Sequence, residues 1–340
     1  MDLQPVPPAP PPSRIRGLTF DEVRAGVAGR AEMHLPDVVV PLAELAMTPD
    51  GNLALPDKRS ASLTPWSRSQ LATLLGVRWD KWFAQTNGSE RADEVNRRLA
   101  RIGGERKLRL AKPERDGAQA DAVLRAFLAP AFTAIDDHKV FSCLASSVRL
   151  DELRFVRVEV TDRASYYAAV SAEVCELGTN GTPDRVYPGF LLRNSEVGYA
   201  ALSLDDLFFR QICSNGLLMP IGGKRLLRRT HRAIDDDKLT ASLVLALAKL
   251  PARWHAGETV LRLARGAVVD DVVATVEAIL DDPTVPRSVV KVAVEVARGA
   301  EDRTRFGVVQ AITSVAHVQN RDPEVRFAME RLAGAWLAAA

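Results

Sequence analysis

The alternation of hydrophobic and polar positions is clearest within residues 187–232. An apolar run at 190–192 leads into a polar turn at 194–198 that contains glycine, and a second alternating run occupies 199–212. Two such runs around a turn of this kind are typical of a β-hairpin. The run at 224–232 that follows carries five Lys or Arg residues and no acid, and it predicts a basic strand at the end of the same sheet.

Alternation also predicts strands at residues 107–110, 155–160 and 168–174. Helical spacing of apolar residues predicts a helix that begins at Thr64 and Pro65 and ends at Gly76, and further helices at 90–101 and 121–128. A short strand and a short helix are expected within 38–45. Beyond residue 235 the period is helical throughout, with helices expected at 239–250, 258–280, 288–298, 306–318 and 324–337.

This order of elements predicts an α+β fold. A central, mostly antiparallel sheet with basic hairpin strands is flanked by helices, and a helical region follows it. We expect a disordered, proline-rich lead at residues 1–17, an α+β domain at 18–234, and a helical region at 235–340 packed on that domain.

Composition narrows the possible partners and the compartment. Hydrophobic residues make up 47% of the 340 residues and charged residues 26%, which is the profile of a globular protein without a membrane partner. The net charge is only +2, so a surface for nucleic acid has to be local. The three Cys residues have no metal-ligand spacing, and a reducing cytoplasm suits them best.

Two basic segments are candidates for binding a polyanion. The first surrounds the strand expected at 107–110 and the second is the run at 224–232; if both strands belong to one sheet, the two segments would form one groove. A solvated charged face is the alternative for the first segment. The residues expected to contact nucleic acid are Arg106, Lys107, Arg109, Lys224, Arg225, Arg228, Arg229 and Arg232.

Three short motifs resemble one known family. They are Asn-Ser-Glu-Val-Gly at residues 194–198, Cys-Ser-Asn-Gly-Leu at 213–217 and Arg-Arg-Thr-His at 228–231. The chain in this respect resembles the phage/plasmid-like family of domains of unknown function, number 932, with further likeness at 64–83, 124–137 and 306–317. The resemblance implies a protein of mobile elements and no particular activity. The family has His before Thr in its last motif, so it implies no catalytic role for His231.

Motifs of catalysis are incomplete. Residues 219–225 lack the first Gly and the Ser or Thr of a phosphate-binding loop. The run 136–138 (Asp-Asp-His) is expected to be a loop or helix cap rather than a metal site, and Asp205 with Asp206 an exposed edge. Cys213 could act as a nucleophile only if His231 approached it. We therefore expect no catalytic residue, metal or cofactor. Enzymatic activity is left open, and a non-catalytic binding protein is favoured.

The sequence leaves three functions open. The first is binding or annealing of single-stranded DNA, or of another nucleic acid, as an accessory in recombination or replication, by a protein that self-associates. Aromatic residues near the basic strands could stack on bases, although at least one of Phe208 and Phe209 is expected in the core; the set is Phe190, Tyr199, Phe208 and Phe209. The alternatives are a metal-dependent nuclease or other hydrolase with a dispersed site, and a protein–protein adaptor.

Overall fold

The computed structural model describes residues 17–78, 86–114, 120–145, 152–178, 184–210, 215–219, 224–232, 235–317 and 322–339. Within these ranges lie ten helices and two mixed or antiparallel sheets, which confirms the α+β class and the helical C-terminal region. The helices are α1 (Phe20–Ala31), α2 (Pro65–Leu75), α3 (Gly88–Leu99), α4 (Asp137–Ala145), α5 (Asp236–Ala248), α6 (Leu250–Gly266), α7 (Val272–Ile279), α8 (Arg287–Gly299), α9 (Arg305–Ala316) and α10 (Pro323–Ala338). The expected proline-rich lead lies outside the described residues, apart from Gly17.

The first sheet has six strands in the order β1-β5-β6-β4-β3-β2. Every pair in it is antiparallel except β4 with β6, which is parallel. Helices α2 and α3 cover one face, where Leu71, Leu99, Leu108 and Leu124 are fully buried. Its strands are β1 (His34–Pro41), β2 (Ala46–Met47), β3 (Leu53–Ala54), β4 (Ser60–Leu63), β5 (Glu105–Ala111) and β6 (Ala122–Leu128).

Strand β6 corrects one prediction, because residues 121–128 were expected to be helical. The strand lies between β5 and β4 and is paired along both edges. Most of its residues are buried, and Arg125 is one of the two that are only half-buried. An interior strand covered on both faces has a nearly continuous apolar sequence, which periodicity does not distinguish from a buried helix.

The second sheet contains the predicted hairpin. Strands β10 and β11 pair antiparallel from Val186 opposite Arg210 to Arg193 opposite Ser203. The main path is β12-β11-β10-β8-β7, with β9 beside β10 and β13 beside β11. Its strands are β7 (Arg154–Val160), β8 (Ser165–Val170), β9 (Cys175–Glu176), β10 (Arg185–Asn194), β11 (Leu202–Arg210), β12 (Asn215–Leu218) and β13 (Leu227–Arg229).

The hairpin turn requires glycine for two reasons. Gly198 has a φ of 76°, a left-handed conformation that side chains with a Cβ rarely adopt. A Cβ at this position would also lie 2.6 Å from Cδ2 of Leu128, the last residue of β6. The turn of the second sheet therefore packs directly against the first sheet.

The helical region packs on the second sheet. Phe208, Leu217 and Met219 of that sheet share one core with Val309 and Ile312 of α9. One helix boundary differs from expectation. The helix expected at 258–280 is divided into α6 and α7, because Asp271 caps a new helix by accepting from Ala274 N at 2.9 Å. Among the described residues no helix has the length and apolar character needed to cross a membrane.

A buried ion pair joins the helical region to the second sheet. The carboxylate of Glu330 in α10 is fully buried and accepts from Nη1 and Nη2 of Arg157 in β7 at 2.8 and 3.1 Å. Nε2 of His317 lies 2.7 Å from the same carboxylate. Burial alone would raise the pKa of Glu330, but the charge of Arg157 and the hydrogen bonds from His317 and Arg157 outweigh it and lower the pKa to about 2.

We predict that acid destabilises the protein through Glu330. A carboxyl whose folded pKa is lowered stabilises the fold above its unfolded pKa of 4.5 and loses that contribution as the pH falls towards 2. The contribution is about 3 kcal/mol. Urea denaturation between pH 6 and pH 2.5 measures it: Glu330→Gln should flatten the dependence of unfolding free energy on pH. The exposed Glu295→Gln is the control, and equal slopes in both variants would contradict the prediction.

Candidate polar site between the two sheets

The two basic segments lie in different sheets, since β5 belongs to the first and β13 to the second. The condition for a groove within one sheet is therefore not met. The segments are nevertheless linked through one loop. Nζ of Lys107 donates to the carbonyl oxygen of Phe132 at 2.5 Å, and the Phe132 ring stacks on His231 with centroids 5.0 Å apart.

Residues 224–232 present four basic side chains to solvent: Lys224, Arg228, Arg229 and Arg232. Arg229 also donates to Oγ of Ser242 at 2.8 Å. Arg225 differs from them, because it is half-buried, lies 3.3 Å from Asp205 and stands over the ring of Phe327. We call the four exposed residues the basic edge.

Two of the three acids that follow the basic edge, Asp235 and Asp236, form ion pairs with lysines. Asp235 caps α5 by accepting from Lys238 N at 2.8 Å and pairs with the Lys238 ammonium at 2.8 Å. Asp236 pairs with Lys139 of α4 at 2.7 Å. These carboxylates therefore do not neutralise the arginines that precede them.

Arg109 corrects the prediction for the first basic segment. It is 4% exposed, and its guanidinium binds both carboxylate oxygens of Asp136 at 2.5 and 3.1 Å. It also donates to Asp37 at 3.1 Å and to the carbonyl oxygen of Glu196 at 2.8 Å. Burial would lower the pKa of Arg109, but the hydrogen bonds and charge of Asp136 outweigh burial and raise it. A side chain enclosed in this way does not reach a ligand in solvent.

Its neighbours in β5 are less enclosed. Arg106 is half-buried and donates to the carbonyl oxygen of Glu105 at 2.8 Å, while Lys107, also half-buried, is held by Phe132. The first basic segment thus supplies two partly accessible cations beside the loop whose Phe132 ring stacks on His231.

Several polar residues that the sequence did not bring together meet at the junction of the sheets. Glu196, in the hairpin turn, is 8% exposed and forms an ion pair with Arg125 of β6. Its Oε1 accepts from the backbone N of Asp137 at 2.8 Å. Nε2 of His34, the first residue of β1, lies 3.4 Å from its Oε2. The turn of the second sheet is thereby bound to β1, β6 and the start of α4.

Asp137 is the second centre of this junction. It is 1% exposed and accepts from Nη2 of Arg30 at 2.8 Å, the hydroxyl of Tyr167 at 2.7 Å and Nδ2 of Asn194 at 2.8 Å. Burial, followed by the charge of Asp137, raises the pKa of Tyr167, so this tyrosine stays protonated and donates. We call the eight side chains Arg30, His34, Arg109, Arg125, Asp136, Asp137, Asn194 and Glu196 the polar cluster.

The protonation states in the polar cluster follow from burial and charge. Burial, and then the nearby charge of Arg125, lower the pKa of His34, although Glu196 and Asp136 act in the opposite direction. Burial would raise the pKa of Asp136, but the hydrogen bond and charge of Arg109 outweigh it, and the pKa is lowered. Near neutral pH the cluster therefore holds the uncharged imidazole of His34 beside the ionised carboxylate of Asp136.

A cleft of about 400 Å³ opens onto the polar cluster. The cleft is lined by four residues of the cluster, Arg30, His34, Arg125 and Glu196. It is also lined by residues 160–165, from the end of β7 to the start of β8, which include Arg163. The cluster is therefore accessible to a small ion or to a polar group from solvent, although most of its atoms are buried.

Some of this site had a signal in the sequence. Asn194 and Glu196 belong to the turn motif, Asp136 and Asp137 to the Asp-Asp-His run, and Asp137 indeed begins α4. The exposed His138 does not join the cluster. Arg125 lies in the stretch 124–137 that resembles the family, but the resemblance gave it no role. No pattern marked Arg30 or His34, because their partners lie far away in sequence.

Other expected site residues are in the core. Phe190 and Phe208 are 0% and 3% exposed, so they do not present a face to a base, whereas Phe209 and Tyr199 are half-buried. The expected exposed edge at Asp205 is also wrong, because Asp205 and Asp206 are 6% and 1% exposed and pair with Arg225 and Arg253. Cys213 and residues 220–223 of the incomplete phosphate loop lie outside the described residues.

Comparison with family models, curated proteins and solved structures finds no match to this chain. The resemblance to the family of domains of unknown function therefore stays a prediction. The polar cluster and the basic edge are the two features of the molecule that bear on its function.

We predict that Arg109 contributes to stability and not to contact with nucleic acid. Replacing it by Ala leaves Asp136 and Asp37 without their buried counter-charge, which should lower the free energy of unfolding by about 3 to 5 kcal/mol. Arg106→Ala in the same strand is the control and should change stability by less than about 0.5 kcal/mol. Chemical denaturation measures both, and equal stability of the two variants would overturn this assignment.

Proposed function

We propose that the protein binds single-stranded nucleic acid through the basic edge. The observation that carries this proposal is the state of Arg228 and Arg232. Both side chains are exposed, and neither forms an ion pair or hydrogen bond within the described structure. Exposed arginines close together without an ion-paired acid create a local positive potential, which favours an anionic partner.

The position of β13 in the sheet supports the same partner. Among the described strands β13 pairs only with β11, through residues 227–229, so it lies at an edge of the described sheet. Arginine side chains and backbone N–H groups are the donors that most often contact phosphate oxygens. Because phosphates recur along every strand regardless of base, such contacts give affinity with little sequence preference.

Self-association forms part of this proposal. One copy of a protein with net charge +2 and four exposed cations contacts only a few phosphates. Several associated copies on one strand multiply these contacts, because each further copy binds at a high effective concentration. Exposed apolar residues on the helical region offer a surface between copies: Leu263 of α6 is 70% exposed, and Val292 and Val296 of α8 are 46% and 40% exposed. We place the protein in the cytoplasm, where the buried thiols of Cys143 and Cys175 would stay reduced.

We predict that the double variant Arg228→Ala with Arg232→Ala binds single strands more weakly than the wild type does. The slope of log affinity against log salt should fall by about 0.7 for each lost phosphate contact, hence by about 1.4. Fluorescence anisotropy with labelled oligo(dT) and a mixed-sequence strand, over a salt series, measures it. The control is Arg287→Ala with Arg298→Ala, which removes the same charge from α8. Equal salt slopes in both variants would exclude the basic edge, and no binding even at low salt would favour an adaptor.

We further predict an assembly larger than a dimer, with an affinity that rises with strand length. Light scattering at working concentration, with and without a long single strand, measures the mass. Val292→Glu on α8 places a charge on the exposed apolar surface and should reduce the mass of the assembly. A monomer under both conditions would remove self-association from the proposal and leave simple binding.

A further inference from the structure

We propose that His34, Asp136 and Glu196 bind one divalent transition-metal ion beside the cleft, at a site that is separate from the basic edge. The three side chains come from the start of β1, the residue before α4 and the turn between β10 and β11. One ligand atom from each lies within 4.8 Å of the other two. Distant parts of the chain thus supply the partners that the Asp-Asp-His run lacked when it was considered alone.

The distance between His34 and Glu196 is that of two ligands of one ion rather than that of a hydrogen bond. Nε2 of His34 and Oε2 of Glu196 are 3.4 Å apart, beyond the usual 2.7 to about 3.2 Å of an N–H···O bond. The other buried imidazole–carboxylate pair, His317 with Glu330, closes to 2.7 Å. Two ligand atoms that are each about 2.1 Å from one ion stand roughly 3.0 to 3.4 Å apart in octahedral or tetrahedral geometry.

Neighbouring groups hold the proposed ligands as outer-shell partners do in metal sites. Arg109 binds both oxygens of Asp136, and the backbone N of Asp137 fixes Oε1 of Glu196. Each of these carboxylate oxygens has two lone pairs and can accept such a bond while it ligates an ion. The orientation of both carboxylates is therefore fixed by the fold.

The charges of the cluster favour a cation over an anion. With the adjacent Asp37 included, the site has four carboxylates: Asp37, Asp136, Asp137 and Glu196. Its three guanidinium groups are those of Arg30, Arg109 and Arg125. The formal charge of the site is therefore −1. One imidazole with two carboxylates suits Mn²⁺ or Zn²⁺, since imidazole favours the transition metals and carboxylates the harder ions.

A second observation comes from Asn194, which holds Asp137, the residue next to the proposed ligand Asp136. Its side chain is fully buried, and Nδ2 donates to the carbonyl oxygen of Ile135 at 2.7 Å and to Asp137 at 2.8 Å. Its Oδ1 is a buried acceptor without a donor in the described structure. Buried amide oxygens nearly always have a partner, and an ion with its bound water supplies one in this network. The cleft gives the ion an entry path past His34 and Glu196.

Titration of the chelator-treated protein with Mn²⁺, followed by electron paramagnetic resonance, tests the site. We expect one ion per chain, an affinity at least about tenfold lower in His34→Ala and in Asp136→Asn, and no change in His255→Ala, which removes an exposed histidine of α6. A parallel Zn²⁺ titration by calorimetry covers the second ion. Absence of saturable binding of either ion, or equal affinity in His34→Ala and His255→Ala, would overturn the proposal.

Thermal unfolding with and without Mn²⁺ separates loss of the site from loss of the fold. An ion that binds only the folded state raises the unfolding temperature of the wild type and of His255→Ala but not that of a folded His34→Ala. Should His34→Ala fail to fold, His34→Gln keeps a polar side chain at the start of β1 and is expected to show the same lower affinity. A metal-dependent rise equal to that of the wild type in the histidine variant would count against the site.

Discussion

The contact of Arg109 with Asp136 and Glu196 is the interaction on which the relation between the two sheets depends. Arg109 belongs to β5 of the first sheet, Asp136 precedes α4, and the Glu196 carbonyl belongs to the hairpin of the second sheet. A guanidinium offers five donors in a fixed plane, so one side chain can hold three separate segments at once. Lysine would supply the charge but not this geometry.

The hairpin turn at Gly198 brings the two sheets close together. The hairpin turn lies so close to β6 that a Cβ at position 198 would be 2.6 Å from the Leu128 side chain, and its left-handed backbone favours glycine. Trp66 of α2 reinforces the contact by donating from its indole to the Val197 carbonyl at 3.1 Å and by packing edge-on against Tyr199. Polar groups then fill the space beside the turn, which is why the cleft is lined by charged residues although it lies between two apolar cores.

Local patterns in the sequence predicted much of the fold. The hairpin, the helix from Pro65 with its caps at Thr64 and Gly76, and the helical region all have signals within a few residues. The helix predicted at 121–128 was wrong because burial on both faces of β6 removes the alternation by which a strand is recognised. The division of the strands into two sheets has no local signal, since it is decided by pairings such as β1 with β5 and β4 with β6.

The same difference between local and distant signals explains which site residues could be predicted from the sequence. The exposure of Arg228 and Arg232 agrees with the basic pattern, but a similar pattern around Arg109 belongs to a buried residue. Charge along the chain does not reveal whether an acid lies opposite in space, and Asp136 is 27 residues away while Glu196 is 87 away. The roles of His34 and Arg125 were not predicted for the same reason, because each is a single polar residue whose partners are distant in sequence.

The basic edge and the polar cluster are connected by a short stretch of chain. Thr133 N donates to the His231 carbonyl at 3.2 Å, and Ile135 N donates to Nδ1 of His231 at 3.3 Å, one residue before Asp136. His231 lies between Arg229 and Arg232 in sequence and is 7% exposed. If the proposed nucleic acid displaced residues 228–232, the displacement would reach the proposed metal ligand Asp136 through two hydrogen bonds and one peptide unit. The two proposed ligands would then be coupled, provided that residues 132–136 adopted two arrangements with different affinities for both.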